Sequence, residues 1–257
     1  MEYGIIGIAS FVTAGLTLFS GFGLGTLLMP VFAIFFEVNI AIALTAIVHF
    51  LNNLFKLTLL GRHADKKAVL QFGLPALLSA FVGAWLLLWL SHQTPLQRYT
   101  LWGHELQITS LNLIIAGLMI LFVIYDLSPR MAKISFGEKA LPIGGILSGF
   151  LGGLSGHQGA LRAAFLLRLG LSKESFIGTG VVIACLVDLS RISVYSSQLL
   201  LKNMNSHTPL LLTAATSAFL GSYLGNRLLK KVTLRGIQIT VSSMLFLIAM
   251  GLALGWI

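Results

Sequence analysis

The chain has 257 residues, of which 56% are hydrophobic and only 10% are charged, and its mean hydropathy is +0.92. This composition excludes a soluble enzyme, a nucleic-acid-binding domain and a disordered chain. The net charge of +9 does not indicate nucleic acid, because Lys and Arg in a membrane protein mainly mark the side on which each loop lies. The sequence therefore predicts an integral membrane protein whose surroundings are the lipid bilayer.

The apolar runs predict an all-α fold, because helices satisfy their own backbone hydrogen bonds in lipid and no run alternates like a barrel strand. Two runs, 4–36 and 140–169, are interrupted by glycines at 20–25 and 152–159. Glycine costs about 1 kcal/mol in a helix interior, so each interruption predicts two short half-helices that meet at an unwound point. Three uninterrupted spans follow each broken run: 38–60, 68–90, 107–125, 175–200, 208–226 and 236–257.

The two halves also match in their polar residues at an offset of 135 positions. The matching pairs are Ser20-Gly21 with Ser155-Gly156, Asn53 with Asp188, and Lys56 with Arg191. Together with the shared order of elements, these matches indicate an internal repeat. We expect a first repeat at 1–126, a cytoplasmic linker at 127–140 and a second repeat at 141–257.

The distribution of Lys and Arg predicts how the repeats are oriented. If each broken run crosses the membrane twice or returns to the side it entered, 12 of the 14 loop bases lie on one side. A single crossing by each run would divide the same bases 7 against 7. The positive-inside rule favours the uneven division. We therefore expect inverted repeats, each a re-entrant hairpin or short helix pair plus three spans, with both termini outside the cytoplasm.

Paired breaks in two inverted halves are typical of a transporter whose binding site lies near the bilayer midplane. Half-helix N-termini carry free N–H groups and a partial positive charge, and glycines let a ligand approach the backbone closely. This arrangement suits an anion. The alternative is that the glycines only allow close helix packing, as small residues do in many membrane bundles.

The charges within the runs sharpen this interpretation, because a charge in the bilayer is expensive unless it is paired or hydrated. Asp188 is the only acid within a span, whereas Lys56, Arg162 and Arg191 are bases. Asp188 and Arg191 have i, i+3 spacing and can neutralise each other. Lys56 is expected to extend to the headgroups. Arg162 follows the second break, where its guanidinium can bind an oxyanion, and it is the main candidate.

Two histidines near the breaks are candidates for proton coupling, together with Asp188. His157 lies inside the second break, and His49 shares a helix face with Asn53 by i, i+4 spacing. For His49, a neutral imidazole that bridges two helices is the preferred interpretation, and proton coupling is the alternative. Asn53 either forms hydrogen bonds between helices or donates to the substrate, and the sequence does not choose between them.

Four segments together resemble a known family: the glycine-rich run from Ser20 to Pro30, the polar span from Thr45 to Lys56, the basic loop from Gly61 to Lys67, and the break from Gly152 to Gly159. They resemble the sulfite exporter TauE/SafE family, also called the 4-toluene sulfonate uptake permeases. The resemblance implies transport of sulfite, sulfonates or sulfoacetate across the prokaryotic inner membrane. It implicates five glycines in substrate binding: Gly21, Gly23, Gly25, Gly156 and Gly159. The second break departs from the family's pattern, because His157 and Gln158 separate its glycines.

These observations predict a secondary transporter that moves a small sulfur-containing oxyanion by alternating access. No cofactor, metal or nucleic acid is expected, uptake would require a coupled cation such as a proton, and formation of a homo-oligomer is left open. The alternatives are a passive anion channel, a structural subunit, and an intramembrane hydrolase that uses Ser20 or Ser155 with His49 or His157. The predicted substrate-binding residues are Ser20, Gly21, Gly23, Gly25, Asn53, Ser155, Gly156, His157, Gln158, Gly159, Arg162 and Arg191.

Overall fold

The computed structural model describes residues 2–20, 24–101, 103–128, 137–196, 204–228 and 234–256. Its helices are α1 Glu2–Ser20, α2 Leu24–Ala33, α3 Val38–Leu60, α4 Lys66–Ala68, α5 Leu74–Ser91, α6 Ser110–Leu127, α7 Leu141–Ser155, α8 Gly159–Leu166, α9 Lys173–Tyr195, α10 Met204–Leu228 and α11 Leu234–Ala253. A π-helical segment, Val69–Gly73, joins α4 to α5 in one continuous helix. Each of the six predicted spans overlaps a helical segment within the described residues.

Within the described residues, three helices are long and apolar enough to cross a membrane: Val38–His63, Lys66–Ser91 and Lys173–Tyr195. Shorter apolar helices occupy Leu24–Ala33, Ser110–Tyr125 and Ser242–Ala253. Large apolar side chains such as Ile8, Leu78 and Leu247 are exposed on the outside of the bundle, as expected of a surface that contacts lipid. The prediction of an all-α membrane protein is therefore confirmed in its main features.

A small β-hairpin was not predicted. Strands β1 Gln97–Leu101 and β2 His104–Ile108 pair antiparallel, with Gln97 opposite Ile108. The Tyr99 hydroxyl donates a hydrogen bond to the Leu254 carbonyl, which attaches the hairpin to the end of α11. Because β2 occupies the residues before Ser110, α6 begins three residues later than the predicted span.

The helix boundaries of the two halves repeat at the offset seen in the sequence. The last residues of α1 and α7, the first residues of α2 and α8, and both ends of α3 and α9 each differ by 135 positions. The two helices of each broken segment are unequal in length. In the first segment α1 has 19 residues and α2 has 10, and in the second α7 has 15 and α8 has 8. At 1.5 Å per residue α1 is about 28 Å long, more than the half-helix that we expected.

Glycines on α7 let it lie directly against α5. A Cβ atom added at Gly145, Gly149 or Gly153 would overlap a backbone carbonyl oxygen of the helix that contains α5. These glycines are one turn apart and therefore form a single face. Gly152 and Gly153 lie within α7, so the predicted break at 152–159 is too wide, and Gly153 is a packing residue as the alternative interpretation proposed.

The same packing generates a stability prediction. Gly149→Ala should destabilise the protein by about 1–3 kcal/mol, because the new methyl group must push α7 away from the Ala76 carbonyl oxygen. Gly117→Ala on α6 is the matched control, because nothing lies within 4 Å of a Cβ at that position. Thermal unfolding of both purified variants measures the difference. A Gly149→Ala variant as stable as Gly117→Ala would contradict the role of this face.

Candidate anion-binding site

Besides the Tyr195 phenol, six ionisable side chains are buried among the described residues: His49, Lys56, His157, Arg162, Asp188 and Arg191. They come from α3, the second break, α8 and α9. A buried charge is stable only when ion pairs or hydrogen bonds offset the cost of removing it from water. The contacts of these six groups therefore indicate which kind of ligand the interior of the bundle suits.

The Asp188 carboxylate joins α9 to α3. Its Oδ2 atom lies 2.6 Å from His49 Nδ1 and 3.5 Å from Asn53 Nδ2. The predicted bridging role of His49 is confirmed, because the side chain links its own helix to α9. Asn53 and Asp188, which match at the offset of 135, contact each other at this interface.

The other carboxylate oxygen binds Arg191 and the second break. Asp188 Oδ1 lies 2.8 Å from Arg191 Nη2 and accepts a hydrogen bond from Arg191 Nε at 3.0 Å. It also accepts from Gln158 Nε2 at 3.0 Å. Asp188 and Arg191 are fully buried, and their predicted i, i+3 pairing is confirmed. The pair is electrically neutral as a unit.

The second break is a tight turn at the end of α7. Gly156 has a φ of +81°, which a residue with a Cβ rarely adopts, and its N–H donates to the Gly152 carbonyl at 2.9 Å. A Cβ at Gly156 would lie 3.0 Å from Arg191 Nη1. The turn therefore brings the backbone directly against the buried ion pair.

Gln158 connects this turn to Arg162. Arg162 Nη1 donates to Gln158 Oε1 at 3.0 Å, and the Gln158 carbonyl accepts from Ser148 Oγ at 2.8 Å. The Arg162 side chain is buried in the first turn of α8, as the sequence predicted. Because Gln158 also donates to Asp188, one amide links Arg162 to the ion pair on α9.

His157 lies beside the same turn and stacks on Phe122, with ring centroids 5.1 Å apart. Its Nδ1 atom lies 3.0 Å from the Ser155 carbonyl oxygen, which requires a hydrogen on that nitrogen. Its Nε2 atom is buried and has no hydrogen-bond partner within the described part of the chain. Ser155 Oγ donates to the Leu151 carbonyl at 2.9 Å.

The first broken segment reaches the second one at Gly25. A Cβ added at Gly25, in the first turn of α2, would lie 3.1 Å from the Gly156 carbonyl oxygen and 3.7 Å from the His49 ring. The two segments therefore meet beside His49 and Asp188. Ser20 is the last residue of α1 and Gly159 the first of α8, whereas Gly21 and Gly23 lie outside the described residues.

Lys56 does not extend to the headgroups, and that prediction is wrong. Its side chain is buried. When the Asn52 carboxamide is turned so that both its oxygen and its nitrogen have suitable partners, the oxygen accepts from Lys56 Nζ at 3.2 Å. In this orientation Asn52 donates to Ser222 Oγ at 2.8 Å and to the Ala218 carbonyl at 3.3 Å, both on α10. The signal was available in the sequence, because Lys56 follows His49 by seven residues and therefore lies on the same face of α3.

A comparison with protein-family models matches residues 6–252 to the family described as sulfite exporter TauE/SafE. The chain belongs to this family. The match includes both broken segments and all six buried ionisable residues, and it confirms the resemblance seen in the sequence. The TauE/SafE protein is therefore an integral membrane protein of a family of sulfite-type anion transporters, not of an enzyme family. No curated protein and no solved structure matches the chain significantly.

The buried pair generates the second prediction. Asp188→Asn should destabilise the TauE/SafE protein by about 3–5 kcal/mol, because it leaves Arg191 charged and without its carboxylate. Arg191→Gln should have a similar effect, whereas the double variant should be milder than either single one. Thermal unfolding of the purified variants gives the coupling energy. The exposed pair of Lys67 and Glu138 is the matched control and should show little coupling. Additive effects of Asp188→Asn and Arg191→Gln would contradict a structural ion pair.

Proposed function

We propose that this TauE/SafE protein is a secondary transporter of a small sulfur-containing oxyanion, such as sulfite or an organosulfonate. The anion binds where the two broken segments meet and becomes accessible alternately from each side of the membrane. One observation carries this proposal: the turn where the two broken segments meet lies beside two buried guanidinium groups, with Arg191 next to Gly156 and Arg162 bonded to Gln158.

The buried charges favour a negatively charged ligand. Within the described chain the buried ions are three bases, Lys56, Arg162 and Arg191, and one acid, Asp188. Asp188 pairs with Arg191, and bases outnumber acids by three to one among these buried residues. The N-termini of α2 and α8 add backbone N–H groups and a partial positive charge. A planar guanidinium at Arg162 suits an oxyanion because two N–H groups can bind two oxygens.

The helix packing supports an arrangement of two related repeats, 1–126 and 141–257, joined by the linker 127–140. α1 packs on α10, and α5 packs on α7. These two contacts are equivalent if α1 of the first repeat corresponds to α7 of the second, and α5 corresponds to α10. α3 packs on α9 and α6 on α11, so matching helices contact each other across the centre. This pattern is expected when a two-fold axis passes between α3 and α9. The candidate site would then lie on the axis, as in transporters with inverted repeats.

Ion gradients or the membrane potential are the proposed energy source, because the sequence contains no P-loop. An inside-negative potential favours export of an anion by about 2.3 kcal/mol per charge per 100 mV across the inner membrane. Uptake would require a coupled cation such as a proton. His49 and Asp188, which contact each other, and His157 with its buried nitrogen are the proposed proton-binding groups.

The geometry around Ser155 argues against the form of the hydrolase alternative that pairs Ser155 with His157. A serine nucleophile must donate its hydroxyl hydrogen to a base, but Ser155 Oγ donates to the Leu151 carbonyl. His157 Nδ1 lies 3.1 Å from Ser155 Oγ, yet that nitrogen carries the hydrogen that the Ser155 carbonyl accepts. The pair therefore lacks the acceptor that nucleophilic catalysis needs.

Transport itself is tested with the purified protein in liposomes. Sulfite, thiosulfate, sulfoacetate, taurine and sulfate form the substrate panel. A secondary transporter should give saturable flux and counterflow for at least one of them. Flux without saturation or counterflow would indicate a channel, and no flux with any member of the panel would favour a structural subunit.

The inverted topology is tested by labelling single cysteines in intact cells, in a Cys185→Ala background. Cysteines introduced at Lys66 and Lys231 should resist an impermeant reagent, because both belong to the predicted cytoplasmic loops that collect the basic residues. A cysteine at Arg98, which lies in the hairpin on the opposite side, should react and serves as the positive control. Protection at Lys66 with labelling at Lys231 would indicate parallel repeats instead.

Arg162 is proposed to bind the anion directly. Arg162→Ala should weaken binding by about 2–5 kcal/mol, and Arg162→Lys should recover only part, because a point charge lacks the bidentate geometry of guanidinium. Arg168→Ala is the matched control, since Arg168 lies two turns away and is exposed. Binding to purified, monodisperse variants separates affinity from abundance. Unchanged affinity in Arg162→Ala would overturn this role.

A further inference from the structure

Gln158 is held in the second break by its backbone and by the packing of its side chain. The residue is only 1% exposed. Its carbonyl oxygen accepts from Ser148 Oγ at 2.8 Å and from the Arg162 backbone N–H at 3.2 Å. Its Cβ fills space beside Gly152 on α7, where an added Cβ would lie only 2.8 Å away. The stem of the Gln158 side chain therefore has a fixed position.

The Gln158 amide lies between two buried ions that require opposite ends of it. Nε2 donates to Asp188 Oδ1 on α9, and Oε1 accepts from Arg162 Nη1 on α8, each at 3.0 Å. A carboxylate only accepts hydrogen bonds, and a guanidinium only donates them. Turning the amide over would place oxygen against oxygen and N–H against N–H. The Asp188 carboxylate therefore decides which way the Gln158 amide faces.

The orientation of this amide in turn constrains Arg162. The two residues are one helical turn apart, and the amide oxygen holds one N–H of the guanidinium. Arg162 Nε lies beside Gly180 on α9, where an added Cβ would be 3.6 Å away. Bidentate binding of an oxyanion depends on the plane of the guanidinium, because two parallel N–H groups must face two oxygens. A contact that fixes this plane before the anion arrives also reduces the entropy lost on binding.

We propose that Gln158 is a positioning residue of the anion site: it holds the Arg162 guanidinium in the plane that binds the anion, and it takes its own orientation from Asp188. This inference rests on the proposed function, because Arg162 is the anion ligand proposed there. It gives Gln158 a role other than the direct substrate contact predicted from the sequence. The amide oxygen and one amide N–H already bind buried ions, and such charge-assisted bonds are about twice as strong as neutral ones.

The experiment measures the affinity for sulfite and for sulfoacetate by calorimetry, with the full chain in nanodiscs. Gln158→Met should weaken binding of the tighter anion by roughly 10-fold, because Met has a similar length but no amide to hold Arg162. In an Arg162→Lys background the same change should weaken binding by less than about twofold, because an ammonium group has no plane to orient. Gln71→Met is the matched control, because Gln71 is exposed, and it should leave the affinity unchanged.

Transport of the same anion into liposomes separates positioning from a general effect on the fold. Gln158→Met should raise the KM by roughly 10-fold and change the maximal rate per reconstituted protein by less than about twofold. A structural role predicts the opposite, a lower maximal rate at an unchanged KM, because fewer molecules would be active. Where Gln158→Met does not fold, Gln158→Ala removes the same amide, leaves room for water, and supplies the same comparison.

Three results would overturn the inference. The first is an unchanged affinity in Gln158→Met, and the second is the structural pattern of a reduced maximal rate at an unchanged KM. The third is an equal loss of affinity in the wild-type and Arg162→Lys backgrounds, which would mean that Gln158 acts on the anion without Arg162. A wild-type protein that binds neither sulfite nor sulfoacetate would instead overturn the proposed function, because no anion site would be left to position.

Discussion

The arrangement of the bundle centre depends on the Asp188 carboxylate. A fully buried carboxylate in a membrane helix is unstable unless its oxygens form hydrogen bonds or ion pairs. Here the partners come from two helices and a turn. His49 approaches one oxygen, while Arg191 and Gln158 bind the other. Because these partners lie far apart in the sequence, the carboxylate determines how α3, α9 and the second break sit relative to one another. Gln158 then extends this order to Arg162.

Glycine has two separate roles in the second half, and they support each other. Gly149 and Gly153 let α7 pack directly against α5, because no side chain separates the two backbones. Gly156 ends the same helix with a positive φ and turns the chain beside Arg191. The close packing positions α7 against α5, and the turn at Gly156 determines what the end of α7 faces. Together they place the polar turn inside an otherwise apolar bundle.

The proposed transport requires an anion to be bound strongly enough to offset its dehydration and to be released when water reaches the site. Asp188 on α9 contacts His49 and Asn53 in the first half of the chain and Gln158 in the second half. In the proposed mechanism, a movement of one half against the other would change these contacts and admit water to the centre of the bundle.

Features that depend only on residues close together in the sequence were predictable from the sequence alone. Hydropathy located α3 over residues 38–60, and the i, i+3 spacing identified the pair of Asp188 and Arg191, because both follow from the local geometry of a helix. Family membership was also readable from the glycine-rich segments. Only the tertiary structure decided that Gln158 binds Asp188 and that Gly153 is a packing residue. Each of these depends on which helices pack together, and contacts between distant residues leave no periodic signal in either segment. The hairpin at 97–108 was missed for the same physical reason, since its strands are stabilised by each other and by the end of α11.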